Sequence, residues 1–393
     1  LGLDGTLRGV SGIVPLLDAM QASEIVLPME CIVTPDDLEL VKYRGVSSLS
    51  ELIMALEGRA PWPDQPEFGG STESTTLLDL ADVVGQPVPR IAVELAAAGR
   101  HHLLLVGPPG AGKTLLASRL PGILPGLDPR ESREVARIYS PAGVARSLRS
   151  VSPPFRAPHH GASTVSLVGG GTSLMRPGEI SLACHGVLFL DELGEFSVTA
   201  LESLRQPLET GSINISRASA TATLPADFLL VAAMNPCPCG QDGAPGDCRC
   251  SDAARQRYSR RLSGPLMDRF DLRVIVGRAD PVQLLSPPNG EKSASVLERV
   301  EGARRRAKER GVRANAELNP RSLEEHSTIG PGANDLLERL LSKNDLTARG
   351  LHRVKTVALT MADLSDEAPV LTRENLVLAT SLRAPVAQLM GGS

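Results

Sequence analysis

Residues 107–114 read Gly107-Pro108-Pro109-Gly110-Ala111-Gly112-Lys113-Thr114. No other stretch of the chain limits its fold so narrowly. A G-x-x-x-x-G-K-[ST] pattern has meaning only between a strand and a helix, and both flanks fit. His102-Leu103-Leu104-Leu105-Val106 is a short apolar run with the character of a buried strand, and Leu115-Leu116-Ala117-Ser118-Arg119-Leu120 reads as a helix. In that setting the glycines let backbone N–H groups converge on phosphate oxygens, and the helix N-terminus adds partial positive charge. Lys113 is expected to reach the β- and γ-phosphates of ATP, and the Thr114 hydroxyl to ligate Mg²⁺. A strand, loop and helix of this kind predict an α/β fold.

Phosphate binding alone hydrolyses nothing. Val187-Leu188-Phe189-Leu190 followed by Asp191-Glu192 supplies the second half. Four consecutive apolar residues mark a strand buried on both faces, which puts Asp191 at its C-terminal end. Asp191 is expected to hold Mg²⁺, largely through water, and Glu192 to polarise the attacking water. The alternative is a strand followed by an ordinary acidic helix cap.

A chain of 393 residues suffices for two or three domains and a sizeable core. Its net charge of −4 sets up no global field toward nucleic acid or anionic membrane, so any polyanion site must be local. Only six of the 41 basic residues are Lys. Arg suits bidentate phosphate and carboxylate contacts, but an Ala/Arg-rich genome bias explains the count equally well. There is no signal-peptide pattern and no apolar run of about 18 residues, so a cytoplasmic location without membrane contact is expected. The chain begins at Leu1 rather than Met, as a piece of a longer chain would.

Residues 1–58 read as a small α/β unit. It has a hairpin turn signal at Asp4-Gly5, a helix from Ile13 to Met20 and a strand at Glu24-Ile25-Val26-Leu27. Thr34-Pro35-Asp36-Asp37 opens one further helix, and Ser48-Leu49-Ser50-Glu51 caps another that ends at Gly58. Pro61-Trp62-Pro63-Asp64, Gly69-Gly70 and a Ser/Thr run make residues 59–76 a linker. The core occupies 77–279. Within it, Arg90 to Ala98 is a helix, 121–186 a long Gly/Pro-punctuated insertion, and 212–223 an alternating hairpin. Phe228 to Met234 is a further buried strand, ending at Asn235, and Leu272 to Val276 another. Residues 280–393 are helical, with helices at Ser293 to Glu309, Gly332 to Leu341, Thr347 to Leu364 and Thr372 to Ser381.

Cys237, Cys239, Cys248 and Cys250 form two C-x-C pairs separated by eight residues. Four thiolates so close could bind Zn²⁺ tetrahedrally, although C-x-C is tighter than the usual C-x₂-C. Disulfides, disfavoured in cytosol, and inert thiols are the alternatives. Cys31 and Cys184 lie far off and read as buried hydrophobes. His159, His160 and His185 lack supporting Cys or carboxylate spacing, which favours hydrogen-bonded loop histidines over metal ligands. Arg255, Arg257, Arg260 and Arg261, around Tyr258, either touch phosphates or form a solvated or interface face. The run from Arg304 to Arg310 reads as a solvated helix face rather than a nucleic-acid contact.

The phosphate loop, acid-ending strand, hairpin, Asn-ending strand and C-terminal helices together resemble an AAA+ ATPase. Several segments narrow this: Arg156-Ala157-Pro158-His159-His160, Arg176 to Ala183, Val187 to Glu195, Met234 to Gly240 and Ser263 to Asp271. They resemble the magnesium-chelatase-like ATPases, and among these the competence-associated ComM (YifB) group, over nearly the whole chain. The resemblance implies an AAA+ P-loop core with a C-terminal helical lid. It implies a homo-hexameric ring that hydrolyses ATP, moves on single-stranded or branched DNA and drives branch migration in recombination and natural transformation. A magnesium-chelatase-type ATPase that remodels a partner protein is the other function such a chain could have.

The same resemblance implies residue roles. Asn235 would be sensor 1, positioning the lytic water. Arg269, in Asp268-Arg269-Phe270-Asp271, resembles the arginine finger offered to the neighbouring subunit's γ-phosphate. Arg349, in Ala348-Arg349-Gly350-Leu351-His352-Arg353, resembles sensor 2 on the lid, with Arg353 as fallback. The inserts around 163–178 and 212–223 resemble hairpins that face a ring's channel. An Arg lent by the next subunit makes hydrolysis depend on assembly. Residues 1–58 resemble the latter half of a Lon-protease-like domain. The lysine of that protease's Ser–Lys pair would fall near Leu16, yet no Lys occurs before Lys42, and the serine-bearing half is absent. An assembly or DNA-guiding module is expected there instead of a protease.

Overall fold

A computed structural model describes residues 1–20, 22, 24–31, 42–64, 78–144, 146, 150–171, 175–216, 221–240, 248–278, 290–342 and 346–389. Five parallel strands form the central sheet: Leu103–Val106, Phe155–Arg156, Val187–Leu190, Leu229–Met234 and Leu272–Ile275. Their spatial order is fifth, first, fourth, third, second. The three central strands, Leu103–Val106, Leu229–Met234 and Val187–Leu190, are apolar along their length because both faces of the sheet are covered there. Alternation divides each of these three between two cores. Leu103, Leu105, Val187, Phe189 and Val231 enter one; Leu104, Val106, Leu188, Leu190 and Leu230 enter the other. All ten are at most 2% exposed. Trimming Phe189 to Ala would cost about 3–5 kcal/mol, a large part of a typical domain's stability.

The first core is closed by the helices Pro87–Gly99, Ser293–Glu309 and Ala348–Leu364, which pack on one another. Val296, Val300, Val354 and Val357 share this core with the strands. The C-terminal helices therefore join the sheet's core by packing on Pro87–Gly99, which itself lies on the strands Leu103–Val106 and Leu272–Ile275. The basic run on Ser293–Glu309 departs from the expected solvated face. Arg304 donates to the Ala97 carbonyl, at 3.1 Å from Nε and 2.6 Å from Nη2. Arg310 makes a two-pronged pair with Asp363, whose side chain is wholly buried, and Arg306 bonds the Asp363 carbonyl. These cations tie helix to helix, a use that a charge run on one strand of sequence does not disclose.

In the N-terminal part, Glu24–Pro28 pairs in parallel with Lys42–Val46, and Ile13–Ala19 packs on the helix Pro129–Ala142. Leu49–Leu56 is capped as expected, with the Glu51 N–H donating to Ser48 Oγ at 3.2 Å. The chain turns at Asp4-Gly5, but among the described residues no hairpin follows, because Thr6 bridges Ser48 instead of an adjacent strand. The helix expected from Thr34, most of the linker and the 279/280 boundary lie outside the described residues. The 121–186 stretch contributes more than loops. It holds the capped helix Pro129–Ala142 and the edge strand Phe155–Arg156. Two antiparallel pairs stand where channel hairpins were expected: Gly169–Gly170 with Arg176–Pro177, and Ser212–Ser216 with Thr221–Pro225. No helix among the described residues is long and apolar enough to cross a membrane.

Candidate functional site

Three motifs leave adjacent strands at one edge of the sheet, where ligands bind in open α/β sheets. Gly107 follows Val106, Asp191 follows Leu190, and Asn235 follows Met234. Register sets Met234 opposite Val106 and Ala232 opposite Leu190. Gly110 and Gly112 turn at φ +75° and +89°, conformations that disfavour side chains. A Cβ added to Gly110 would meet nothing within 4 Å, so the loop keeps open space beside its backbone.

Lys113 is 8% exposed, and its amine donates to Gly107 O at 2.6 Å, Pro108 O at 2.9 Å and Asn235 Oδ1 at 3.2 Å. Burial pushes its pKa below the usual lysine value, against the pull of Asp191 and Glu192. The Thr114 hydroxyl donates to Asp191 Oδ2 at 2.7 Å. Two hard oxygen donors side by side suit Mg²⁺, and a glycine loop with a buried ammonium suits phosphate. The residues present thus fit ATP and Mg²⁺.

Glu192 sits in the left-handed region, φ +53°. Its Oε2 lies 2.8 Å from His160 Nδ1, and the His160 ring packs 4.0 Å from that of His159. Sequence reasoning passed over His160 as an ordinary loop histidine. Its position just beyond Phe155–Arg156, the strand beside Val187–Leu190, was the available signal.

Arg269 and Arg349 occupy the other end of the sheet. Asp271 precedes Leu272–Ile275, and its N–H donates to the carbonyl of His102, which precedes Leu103–Val106. There Arg269, Arg349, Arg353, Arg100, His102 and Glu209 line a cavity of about 480 Å³. Arg353 pairs with Asp271 and bonds the Arg269 carbonyl, so it acts as a brace. Arg269 pairs with Glu209, at the end of the helix Arg205–Thr210 that leads into the Ser212–Ser216 strand. Burial, helped by Arg349 and Arg205, holds Arg269 below the usual arginine pKa, and burial pushes Arg353 down to about 10. Arg269 Nε, Arg353 Nε and His352 Nε2 are buried without a hydrogen-bond partner among the described residues. This concentration of cations suits an anion. No phosphate-loop residue lines the cavity.

The family model described as magnesium chelatase, subunit ChlI, matches residues 79–284, and that of the ChlI C-terminal part matches 290–383. Competence protein ComM of Haemophilus influenzae is 40% identical over 400 residues, covering 99% of this chain and 77% of the relative. The chain belongs to the magnesium-chelatase-like ComM/YifB family. The protein YifB of Escherichia coli K12 is likewise 40% identical, over 98% of this chain and 76% of the relative. A more distant likeness, 25% over 178 residues, is to the probable DNA helicase MCM9 of Arabidopsis thaliana, covering 45% of this chain and 23% of the relative.

In this ComM/YifB-family chain the four clustered cysteines converge. Their sulfurs all lie within 4.8 Å of one another. Cys31 and Cys184 are buried, as expected. His185, whose ring was read as hydrogen-bonded, contacts Glu134 at 2.6 Å, but folding also brings Cys184 and the carboxylates of Glu131 and Asp227 around it. Of the four basic residues near Tyr258, Arg255 is half-buried and the other three are exposed, but these three differ in their contacts. Arg257 and Arg260 are exposed on the helix Asp252–Arg260, whereas Arg261 bonds Gly194 O at 2.9 Å and Glu195 at 3.3 Å.

Proposed function

We propose that this chain is the protomer of a homo-hexameric AAA+ ring that hydrolyses ATP and uses the energy to move on single-stranded or branched DNA. Branch migration in recombination and natural transformation is the process it fits. The hydrolytic part rests chiefly on one observation: Lys113, Thr114, Asp191, Glu192 and Asn235 cluster at one end of the parallel strands, and Arg269 and Arg349 at the other. Lys113 would turn from its carbonyl partners to the phosphates. Thr114 and Asp191 would hold Mg²⁺, which neutralises phosphate charge. Glu192 would accept a proton from the attacking water while Asn235 orients it. Arg269 and Arg349 together would stabilise charge at a neighbouring protomer's γ-phosphate. Arg349 thereby works in trans beside Arg269, and Arg353 only braces Asp271.

The four cysteines would bind one structural Zn²⁺. Residues 1–58 would serve assembly or guide DNA. The DNA reading draws on two relatives, a competence protein and a probable DNA helicase, and on exposed Arg257 and Arg260 together with the two antiparallel pairs. A second reading, remodelling of a partner protein, draws on the magnesium chelatase description of the family model.

The test measures ATPase rate and anisotropy binding with single-stranded and forked DNA at several salt concentrations. Phosphate contacts release counterions, so binding should weaken steeply with salt and show little sequence preference. Arg257→Ala/Arg260→Ala should weaken it. Oligomeric protein that ignores DNA at low salt with an ATP analogue supports the partner-protein reading instead.

A further inference from the structure

The cysteine cluster adjoins the hydrolytic residues at both of its ends. Cys237 Sγ lies 3.4 Å from Cys239 Sγ and 3.6 Å from Cys248 Sγ, and Cys239 lies 3.6 Å from Cys248. Thiolates placed tetrahedrally at ~2.3 Å from zinc stand about 3.8 Å apart. Disulfide sulfurs would be at ~2.05 Å. The spacing fits ligands of one metal ion and is too long for disulfides.

Cys237 stands two residues beyond Asn235. Its carbonyl accepts the Gly240 N–H at 3.0 Å, closing a turn that leans on the phosphate loop. A Cβ on Gly240 would fall 2.7 Å from Pro109 Cδ and 3.6 Å from Asn235 Cγ, and Gly240 itself is at φ +71°, so no larger residue fits.

From the other pair, Cys250 runs into Ser251, whose Oγ caps the helix Asp252–Arg260. That helix presents Tyr258, 6% exposed, whose hydroxyl donates to the Asn235 carbonyl at 3.2 Å. Its ring is wedged against Gly194, where an added Cβ would be 2.4 Å away, just beyond Glu192. Arg261 bonds the same Gly194 carbonyl.

We propose that zinc at the four cysteines is a clamp on catalysis: it joins the segment leaving Asn235 to the helix bearing Tyr258, and so sets the hydrolysis rate while leaving nucleotide affinity alone. The inference rests on the zinc reading above. Cys239 is exposed and Cys248 and Cys250 are half-buried, so the metal would tie the two pairs together near the surface, apart from the apolar core that holds Tyr258. With the metal gone, Asn235 keeps its strand and its bond from Tyr258, but the segment that follows it loses its tie to the start of the helix Asp252–Arg260, which frees both to shift. Displacing a catalytic group by about 1 Å costs on the order of a hundredfold, whereas Lys113 and the phosphate loop keep their own strand and helix.

The test uses the full chain purified without chelator. Metal analysis should give one zinc per chain. Cys239→Ser/Cys248→Ser should lose it, and kcat should fall at least tenfold while the Kd for a fluorescent ATP analogue stays within twofold. Tyr258→Phe should keep its zinc and still lose kcat several-fold, which settles the matter if the cysteine variant does not fold. Less than a tenth of an equivalent of zinc in wild type overturns the zinc reading and the clamp together. A full equivalent, with kcat within twofold of wild type in Tyr258→Phe or in a folded zinc-free variant, overturns only the clamp. Equal loss of kcat and nucleotide affinity on zinc removal overturns it too, because the metal would then merely hold the fold.

Discussion

Arg269→Ala separates hydrolysis within one chain from hydrolysis across two. The Leu103–Val106 strand, four residues long, lies between the edge bearing the arginine cavity and the phosphate loop. At ~3.3 Å per residue it keeps Arg269 at least about 13 Å from its own nucleotide. With an effective dielectric constant of about 20, a unit charge pair 13 Å apart is worth about 1.3 kcal/mol, and one at 3.5 Å about 5 kcal/mol. A contribution within the chain therefore changes kcat at most about tenfold, and contact with a neighbour's γ-phosphate changes it about 10³-fold or more. Arg269→Ala should bind ATP with unchanged affinity and hydrolyse it at least 10³ times more slowly. Mixed with Lys113→Ala, which keeps Arg269 but lacks its phosphate ligand, it should recover activity. Random one-to-one assembly pairs an intact phosphate site with an intact arginine at about a quarter of head-to-tail interfaces, so about a quarter of wild-type turnover is expected. The assay is steady-state phosphate release, with native mass spectrometry to show that mixed rings form. Mixed rings without rescue, or a loss of tenfold or less in Arg269→Ala, would refute the reasoning.

Glu192→Gln should retain ATP binding and lose at least a hundredfold in kcat, whereas Lys113→Ala should lose nucleotide affinity itself; near-normal turnover in Glu192→Gln removes it from the role of base. His160→Ala frees the Glu192 carboxylate. Because the two side chains are 35% and 52% exposed, the contact is worth about 1 kcal/mol or less, so basal kcat should rise no more than about fivefold. A fall of tenfold would make His160 an orienting partner of Glu192 instead. Burial, with lesser contributions from Arg353, His102 and Arg304, pushes the wholly buried His101 down to about 3. Unfolding returns it to about 6.5, so the unfolded chain binds more protons between those values, and this part of stability, complete above pH 6.5, is lost as pH falls. By pH 5 it amounts to about 2 kcal/mol; burial pushes His102 down to about 3 as well and adds a similar loss, so His101→Gln should roughly halve the drop in urea midpoint.

What the chain discloses without coordinates is what lies at strand ends. A buried strand announces itself by an unbroken apolar run, and the residue after it then stands at the sheet's edge, so Gly107 and Asp191 could be assigned to one site from the residues themselves, while Asn235 joined them through the family resemblance. Helix Pro129–Ala142 was hidden by its polar, Pro-containing sequence, although Asp128 and Glu131 form a complete capping box at its start. The pairing of Glu192 with His160 and the engagement of Arg304 with Ala97 depend on which neighbour the fold supplies, and no periodicity carries that. The meeting of Arg269 with Arg349 is of the same kind, since it requires knowing where the helix Ala348–Leu364 lands.

Strand direction decides more than any of these contacts. In a parallel sheet every strand carries its following loop to one edge and its preceding loop to the other. Lys113 and Asp191 follow their strands; Arg269 precedes its own. No side-chain rotation or loop movement within one protomer carries a group from one edge to the other through a layer whose ten central side chains are at most 2% exposed. If Arg269 meets a γ-phosphate at all, that phosphate is held by a second copy of the chain. A dependence of turnover on protein concentration then follows from topology alone, and dilution of the wild-type chain should abolish hydrolysis before it abolishes nucleotide binding.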